Sequence, residues 1–143
     1  MKLVVINGPN LNLTGMRSPN VYGTDTLETI TEELNGYVIS CGSELAAFQS
    51  NHEGDIIDAI MNEFDGIIIN PGAYTHYSYA IRDAIEAVGL PTVEVHLSDI
   101  HAREPFRAVS VIEPVCIAQI CGMGKQGYIE AAKLLLSRAM IWA

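Results

Sequence analysis

Glu94 and His96 are the residues best suited to acid–base chemistry, because they alternate on an apolar run and so point to one side of a predicted strand. A carboxylate hydrogen-bonded to an imidazole fixes the tautomer and the orientation of the ring, which suits a general acid. A half-buried structural histidine satisfied by its neighbour has the same pattern, so both interpretations stay open. Asp99 and His101 add two metal-ligand types, but the spacing matches no zinc or iron signature.

Arg17 and Tyr22 form a second candidate pair, in the long segment that follows the first apolar run. A tyrosine has a pKa of about 10, and a neighbouring guanidinium favours its phenolate form. Tyr22 is therefore a candidate base with Arg17 as its activator. Asn7, Asn10 and Asn12 of the same segment could bind a ligand or could simply cap turns.

Two further segments hold residues of interest. His76 ends a glycine-containing loop before a predicted helix and is a candidate ligand contact, whereas Arg82 and Asp83 look like a solvated helix face. Residues 122–127 fit the GxGxxG pattern, but a dinucleotide site needs a further strand with an acidic residue about 20 positions on. We therefore interpret these glycines as a tight turn beside the sheet. Lys125 is the one lysine near the predicted strand ends, so imine chemistry has little support.

The elements that position these residues follow from hydrophobic periodicity. Apolar residues recur at helical spacing over 27–38, 56–64, 80–88 and 128–139, and Asp25 with Glu28 predicts a capping box before the first helix. These helical stretches alternate with short apolar runs typical of strands. The alternation predicts one doubly wound α/β domain, over residues 1–143, with a parallel sheet covered on both faces. Ligands of such sheets bind outside the carboxyl ends of the strands, where the segments discussed above would meet. The predicted strands are 2–6, 44–49, 66–70, 92–96 and 116–121.

Composition narrows the function classes. Lys and Arg total 8 against 17 Asp and Glu, and the net charge of −9 disfavours nucleic-acid backbones and anionic membrane surfaces. No apolar run approaches the roughly 18–20 residues of a membrane span, and the N-terminus does not resemble a signal peptide, so we expect a cytoplasmic protein. Cys41, Cys116 and Cys121 are odd in number and lack CxxC spacing, which favours reduced packing residues.

Several motifs together resemble one enzyme family. INGPNLNLTG with R-x4-YG, then QSNHEG, IINPGAYTH, EVHLSD, HAREPFR and GMGKQGY closely resemble the type II 3-dehydroquinate dehydratases of the shikimate pathway, in order from about Val4 to Tyr128. The resemblance implies a flavodoxin-like three-layer α/β/α domain with a five-stranded parallel sheet, usually assembled as a dodecamer of four trimers. It implies trans dehydration of 3-dehydroquinate to 3-dehydroshikimate through an enolate, with no metal and no organic cofactor.

The resemblance also implies roles for individual residues. Tyr22 would remove a proton from C2 of the substrate, and Arg17 would hold it as the phenolate and shape a closing lid. Asn10 would help to hold a water that stabilises the enolate oxygen. His96, oriented by Glu94, would protonate the departing C1 hydroxyl.

The remaining implied residues bind substrate. Asn70 and the backbone amides of Leu97 and Ser98 would contact its carboxylate and hydroxyls. His76 and Arg107 would contact its ring hydroxyls, and Asp83 would reach in from a neighbouring subunit of the trimer.

The sequence departs from the family pattern beside these residues. Tyr77 and Tyr79 replace Thr or Ser and Val, Asp99 replaces Asn after Ser98, and 108–109 is Ala-Val where polar residues or His are common. Three alternatives remain: a flavodoxin-like binding domain without catalysis, a hydroxy-acid lyase for another substrate, and a metal-dependent hydrolase. The hydrolase would use Glu94, His96 and His101.

Overall fold

The sheet is parallel and has five strands, as predicted. The computed structural model describes residues 1–16, 18, 20 and 24–142. The strand order is β2-β1-β3-β4-β5, with every neighbouring pair parallel. The strands are β1 (Lys2–Asn7), β2 (Glu44–Gln49), β3 (Gly66–Asn70), β4 (Thr92–His96) and β5 (Ala118–Cys121).

The fifth strand is shorter than the sequence predicts. Glu113–Val115 form a 3-10 turn that contains Pro114, and the N–H of Cys116 closes it by donating to the carbonyl of Glu113 at 3.0 Å. The chain joins the sheet only after this turn, so residues 116 and 117 of the predicted strand belong to the connection.

Over residues 24–142, four helices cover the two faces of the sheet: α1 (Leu27–Ser40), α2 (Glu53–Ile60), α3 (Tyr79–Val88) and α4 (Gln126–Trp142). The predicted capping box at α1 is wrong, because Thr26 is the N-cap and its Oγ1 accepts from the N–H of Thr29 at 3.2 Å. Threonine satisfies the free N–H groups of the first turn as aspartate would. Asp25 instead pairs with Lys125, at 3.5 Å.

The buried apolar residues form two clusters, one on each face of the sheet. Leu3 and Val5 face the cluster built with α1 and α4, whereas Val4 and Ile6 face the cluster built with α2 and α3. This alternation along β1 is what a central parallel strand buried on both faces requires. The central strands are thereby fixed, and with them the residues at their carboxyl ends.

The loops after β1 and β3 pack tightly against each other at the point where the strand order reverses. The N–H of Gly8 donates to the carbonyl of Asn70 at 2.8 Å. A Cβ atom on Gly8 would lie 2.5 Å from the carbonyl oxygen of Pro71, so only glycine fits here. A crevice at such a switch point is the usual ligand site of open α/β sheets.

The cysteines match the packing prediction only in part. Cys41 is exposed, at the C-terminus of α1, because the helix ends before the residue can pack. Cys116 and Cys121 are partly buried, and burial raises the pKa of these thiols to about 12 and about 11. In the part of the chain that the structure describes, no helix is both long and apolar enough to cross a membrane.

Candidate active site

A cavity of about 150 Å³ opens at the carboxyl ends of β1, β3 and β4. The sequence-predicted residues that line it are Asn10, Asn70, His76, His96, Leu97, Ser98 and Arg107. Sequence reasoning missed Arg103, although it lies in the quoted HAREPFR motif, and also the apolar lining of Pro9, Leu11, Ala73 and Ile100.

Two predicted residues are described by the structure and do not line the cavity. Glu94 is wholly buried behind His96, and Asp83 is exposed on α3. Arg17 and Tyr22, the predicted activator and base, lie outside the described residues.

Glu94 and His96 form a buried dyad at the end of β4. The Nε2 atom of His96 lies 2.5 Å from Oε2 of Glu94, and the exposed fractions are 6% and 0%. Because an ionised carboxylate only accepts, Nε2 carries the proton of this hydrogen bond. Nδ1 is then the ring nitrogen of His96 that is left to serve the cavity. The predicted juxtaposition of carboxylate and imidazole is confirmed.

The carboxylate of Glu94 accepts three further side-chain hydrogen bonds. Thr75 Oγ1 donates to Oε2 at 2.7 Å, Gln119 Nε2 donates to Oε2 at 3.0 Å, and Ser110 Oγ donates to Oε1 at 2.8 Å. Burial alone would raise the pKa of Glu94, but His96 and the two hydroxyl donors outweigh burial and hold the pKa below its usual range. Glu94 is therefore a fixed, ionised partner for His96.

His76 presents a neutral ring to the cavity. Its Nδ1 donates to the carbonyl of Val109 at 2.7 Å, and its ring packs edge-on against Phe106 with centroids 5.9 Å apart. Burial lowers the pKa of His76, so the neutral form dominates at neutral pH. With Nδ1 protonated, Nε2 is the ring nitrogen that can accept a hydrogen bond from a ligand hydroxyl.

Asn70 is held in place by a buried chain of polar groups. Its Nδ2 donates to the hydroxyl of Tyr128 at 2.9 Å, and that hydroxyl donates to Oδ1 of Asn7 at 2.6 Å. Oδ1 of Asn70 accepts from the N–H of Gly72 at 3.1 Å. These contacts fix the amide, and they leave its second N–H as a donor for a ligand.

Two arginines make one wall of the cavity cationic. Arg103 donates to Oγ of Ser98 at 3.3 Å. Arg107 donates to Glu104 at 2.5 Å, and its guanidinium lies 4.7 Å from the centroid of the Phe106 ring. Arginine keeps its charge at all relevant pH values and suits a carboxylate ligand.

The GxGxxG glycines support the loop that follows β4. The N–H of Gly124 donates to the carbonyl of Leu97 at 3.1 Å, and the N–H of Gly122 donates to that of Ser98 at 3.1 Å. Both glycines have positive φ, 77° and 56° in chain order, which side-chain-bearing residues rarely adopt. Their role here is to hold the Leu97–Ser98 peptide, in agreement with the tight-turn interpretation.

The metal-hydrolase alternative finds no support in the geometry. Both oxygens of Glu94 already accept hydrogen bonds from protein donors, and Nε2 of His101 lies 3.3 Å from Gln119. Within residues 1–16, 18, 20 and 24–142, no three His, Cys, Asp or Glu side chains form a group that could hold a metal ion.

An open parallel sheet whose strand ends carry a buried carboxylate–imidazole dyad, a neutral histidine and two arginines defines an acid–base site for a small anionic ligand. Residues 1–136 match the family model described as dehydroquinase class II. The chain is 54% identical to a 3-dehydroquinate dehydratase of Clostridium beijerinckii, over 98% of its length and 99% of the relative's. It is 55% identical to a 3-dehydroquinate dehydratase of Thermotoga neapolitana, over 92% and 91%.

Solved structures agree. The type II dehydroquinase from Butyrivibrio crossotus superposes with a TM-score of 0.92 at 53% identity, covering 94% of this chain and 97% of that one. The type II dehydroquinase from Propionibacterium acnes gives 0.89 at 34% identity, covering 95% and 96%. The chain belongs to the class II dehydroquinase family, and it is accordingly an enzyme of the dehydroquinase class.

Proposed function

We propose that this chain dehydrates 3-dehydroquinate to 3-dehydroshikimate by trans elimination through an enolate, with Tyr22 as base and His96 as acid. The observation that carries the proposal is the Glu94–His96 dyad, in which His96 lines the cavity and Glu94 is buried behind it. A β-hydroxyketone needs a base for its carbon acid, a stabiliser for the enolate oxygen and an acid for the leaving hydroxyl. The dyad supplies the last of these.

The proton balance of the reaction assigns one task to each group. Tyr22 takes a proton from C2, and the electrons of that C–H bond move towards the ketone to form the enolate. When the enolate collapses, the C1–O bond breaks, the imidazolium form of His96 gives its Nδ1 proton to the oxygen, and water leaves. The motif R-x4-YG supports Tyr22 and Arg17 in these roles, and the position of Asn10 in the cavity lining supports its part in stabilising the enolate.

Binding of the substrate follows from the polar lining. We assign the carboxylate and hydroxyls to Asn70 and the Leu97–Ser98 amides, and the ring hydroxyls to His76 and Arg107. Neutral His76 can accept from a hydroxyl, whereas Arg107 can only donate. These complementary roles would orient the ring of the substrate between His96, the acid, and Tyr22, the base.

We also propose assembly as a dodecamer of four trimers. Asp83 is exposed on α3 and is absent from the described lining of its own cavity, as a residue that serves a neighbouring subunit would be. Sedimentation would test this assembly, and a fully active monomer at the assay concentration would overturn it.

Ultraviolet absorbance after addition of 3-dehydroquinate tests the reaction, because the product is a conjugated enone carboxylate. We expect a rise for the wild type and a loss of most turnover for Tyr22→Phe and His96→Ala with near-normal binding. Folded, oligomeric protein that gives no rise would overturn the proposed substrate. A variant Tyr22→Phe that keeps the full rate would overturn the assignment of the base.

A further inference from the structure

Gln119 lies beside the dyad on the neighbouring strand. It pairs with Glu94 in the register of β4 and β5, and its Nε2 donates to Oε2 of Glu94 at 3.0 Å. This is the same oxygen that accepts from Nε2 of His96. Gln119 is not among the residues that line the cavity, so it can affect a bound ligand only through its contact with Glu94.

The amide of Gln119 has one favourable orientation. Its nitrogen must face Glu94, because an ionised carboxylate accepts and never donates. Its oxygen then lies 3.3 Å from Nε2 of His101, which provides the donor on the other side. A hydroxyl neighbour such as Thr75 or Ser110 can turn its proton elsewhere, and these two hydroxyls lie within 3.1 Å of each other. The amide of Gln119 cannot redirect its donor in this way, because its nitrogen and its oxygen are both hydrogen-bonded.

We propose that Gln119 is a positioning residue for the elimination: it holds Oε2 of Glu94 where that oxygen accepts from Nε2 of His96. This inference rests on the proposed function. Without Gln119 the carboxylate can rotate towards its hydroxyl donors, and the ring of His96 then loses the contact that sets its tautomer and direction.

Three variants test the role of Gln119. Gln119→Met keeps the length of the side chain and removes both polar atoms, whereas Gln119→Glu keeps the shape and replaces the donor with a second carboxylate. Gln126→Met is the matched control, because Gln126 is exposed on α4 and bonds only to Glu130 in the described contacts. For each variant, kcat, KM and the thermal midpoint are measured with 3-dehydroquinate.

For Gln119→Met we expect kcat to fall about tenfold, the effect of one hydrogen bond to a charged group, with KM within about twofold of the wild type. For Gln119→Glu we expect a larger fall in kcat at neutral and alkaline pH, and partial recovery at acidic pH, where two adjacent carboxyl groups share a proton. The control should match the wild type.

The other titratable groups that face this position are common to the wild type and all the variants, so the recovery is measured relative to the wild type and Gln119→Met at each pH. They are His76, His96, His101, Glu113 and the thiols of Cys116 and Cys121. The thiols are neutral in the assay range, since burial raises their pKa to about 12 and about 11.

The relation between kcat and stability separates positioning from packing. If Gln119 only fills space, kcat of Gln119→Met falls only in step with its thermal midpoint, and that result would overturn the inference. The Gln119→Glu variant adds the pH readout, because a second carboxylate beside Glu94 lowers kcat whatever the role of the amide. The inference is also wrong if the wild type turns over and Gln119→Met equals the control. If the wild type itself does not turn over 3-dehydroquinate, it is the proposed function that fails.

Discussion

Replacement of Glu94 by Gln is the most direct test of the dyad. Glutamine has nearly the shape of glutamate, and an amide oxygen placed at Oε2 still accepts from His96, Thr75 and Gln119. The new NH2 group then faces the hydroxyl of Ser110, which lies 2.8 Å from Oε1 and already accepts from the N–H groups of Ile112 and Glu113. The change therefore removes the charge and the hydrogen bond to Ser110, and it keeps the other three hydrogen bonds.

The magnitude follows from the hydrogen bonds. Four donors, from His96, Thr75, Ser110 and Gln119, lie on the Glu94 carboxylate. A bond to a charged group exceeds a neutral one by about 1 kcal/mol, and loss of the bond to Ser110 costs about 2 kcal/mol, so the gross loss on neutralisation is about 5 kcal/mol. Burying an amide costs several kcal/mol less than burying a carboxylate, and this offsets most of that loss. We expect the net change in the free energy of unfolding to stay within about 2 kcal/mol.

Catalysis should respond more than stability, because nothing offsets the weaker hydrogen bond to His96. When Glu94 is neutral, the imidazolium form of His96 loses the charge that faces it. The hydrogen bond itself weakens by about 1 kcal/mol, which corresponds to a fall in kcat of roughly fivefold, and the charge lost opposite the imidazolium adds to that fall. KM should change little, because Glu94 does not line the cavity.

The assay is the ultraviolet rate with 3-dehydroquinate, accompanied by urea unfolding. Glu130→Gln is the matched control, because Glu130 lies on α4 and bonds to Lys133 and Gln126 far from the dyad in the described contacts. A folded Glu94→Gln protein with kcat within about twofold of the wild type would refute the role of Glu94 in orienting the acid.

Unfolding at lower pH gives a second readout of the same variant. The pKa of Glu94 is held below its usual value in the folded protein, so the ionised group contributes stability above the pKa of the unfolded chain, about 4.5. That contribution is lost as the pH falls through the folded-state pKa. The wild type should therefore lose more stability than Glu94→Gln between pH 7 and pH values below about 4.5. Equal losses would contradict the folded-state pKa shift.

Further predictions address the surroundings of the dyad. Gly8→Ala should lower the free energy of unfolding by more than about 2 kcal/mol in urea titrations, because its Cβ would lie 2.5 Å from the backbone oxygen of Pro71, and an unchanged midpoint would contradict this packing. Tyr128→Phe should raise KM more than it lowers kcat, because Asn70 loses its acceptor and Asn7 its donor; a KM equal to that of the wild type would argue against positioning of Asn70. A chelator should leave the rate unchanged, and inhibition that added metal reverses would refute the cofactor-independent mechanism.

The fold was predictable from sequence because its signals are local. β-branched runs alternate with helical stripes, and the strands Glu44–Gln49, Gly66–Asn70 and Thr92–His96 begin and end where the pattern changes. The errors fall where two local signals compete. Asp25 and Thr26 are both good N-caps in adjacent positions, and the apolar run 116–121 hides a turn that Pro114 begins.

The dyad itself was predictable because Glu94 and His96 are two residues apart on one strand, but its support was not. Thr75, Ser110 and Gln119 come from three separate segments. Thr75 lies within the quoted motif IINPGAYTH, but Ser110 and Gln119 lie outside every quoted motif, and no spacing links the three residues. Gln119 did leave one signal: it is a polar residue within an otherwise apolar run, and a polar side chain at such a position usually has a hydrogen-bond partner.

An acidic enzyme for an acidic ligand looks unfavourable when only the net charge of −9 is considered. The geometry removes the difficulty, because the carboxylate of the dyad does not face the cavity and the carboxylate of Glu104 is paired with Arg107. Glu94 is wholly buried, its oxygens accept hydrogen bonds from protein donors, and His96 lies between it and the ligand space. The cavity wall instead carries Arg103 and Arg107. At contact distance these local charges outweigh distant surface carboxylates, which salt screens within about 10 Å. The net charge therefore governs the binding of polymeric anions, which contact much of the surface. The binding of a small anion depends on the residues that line the cavity.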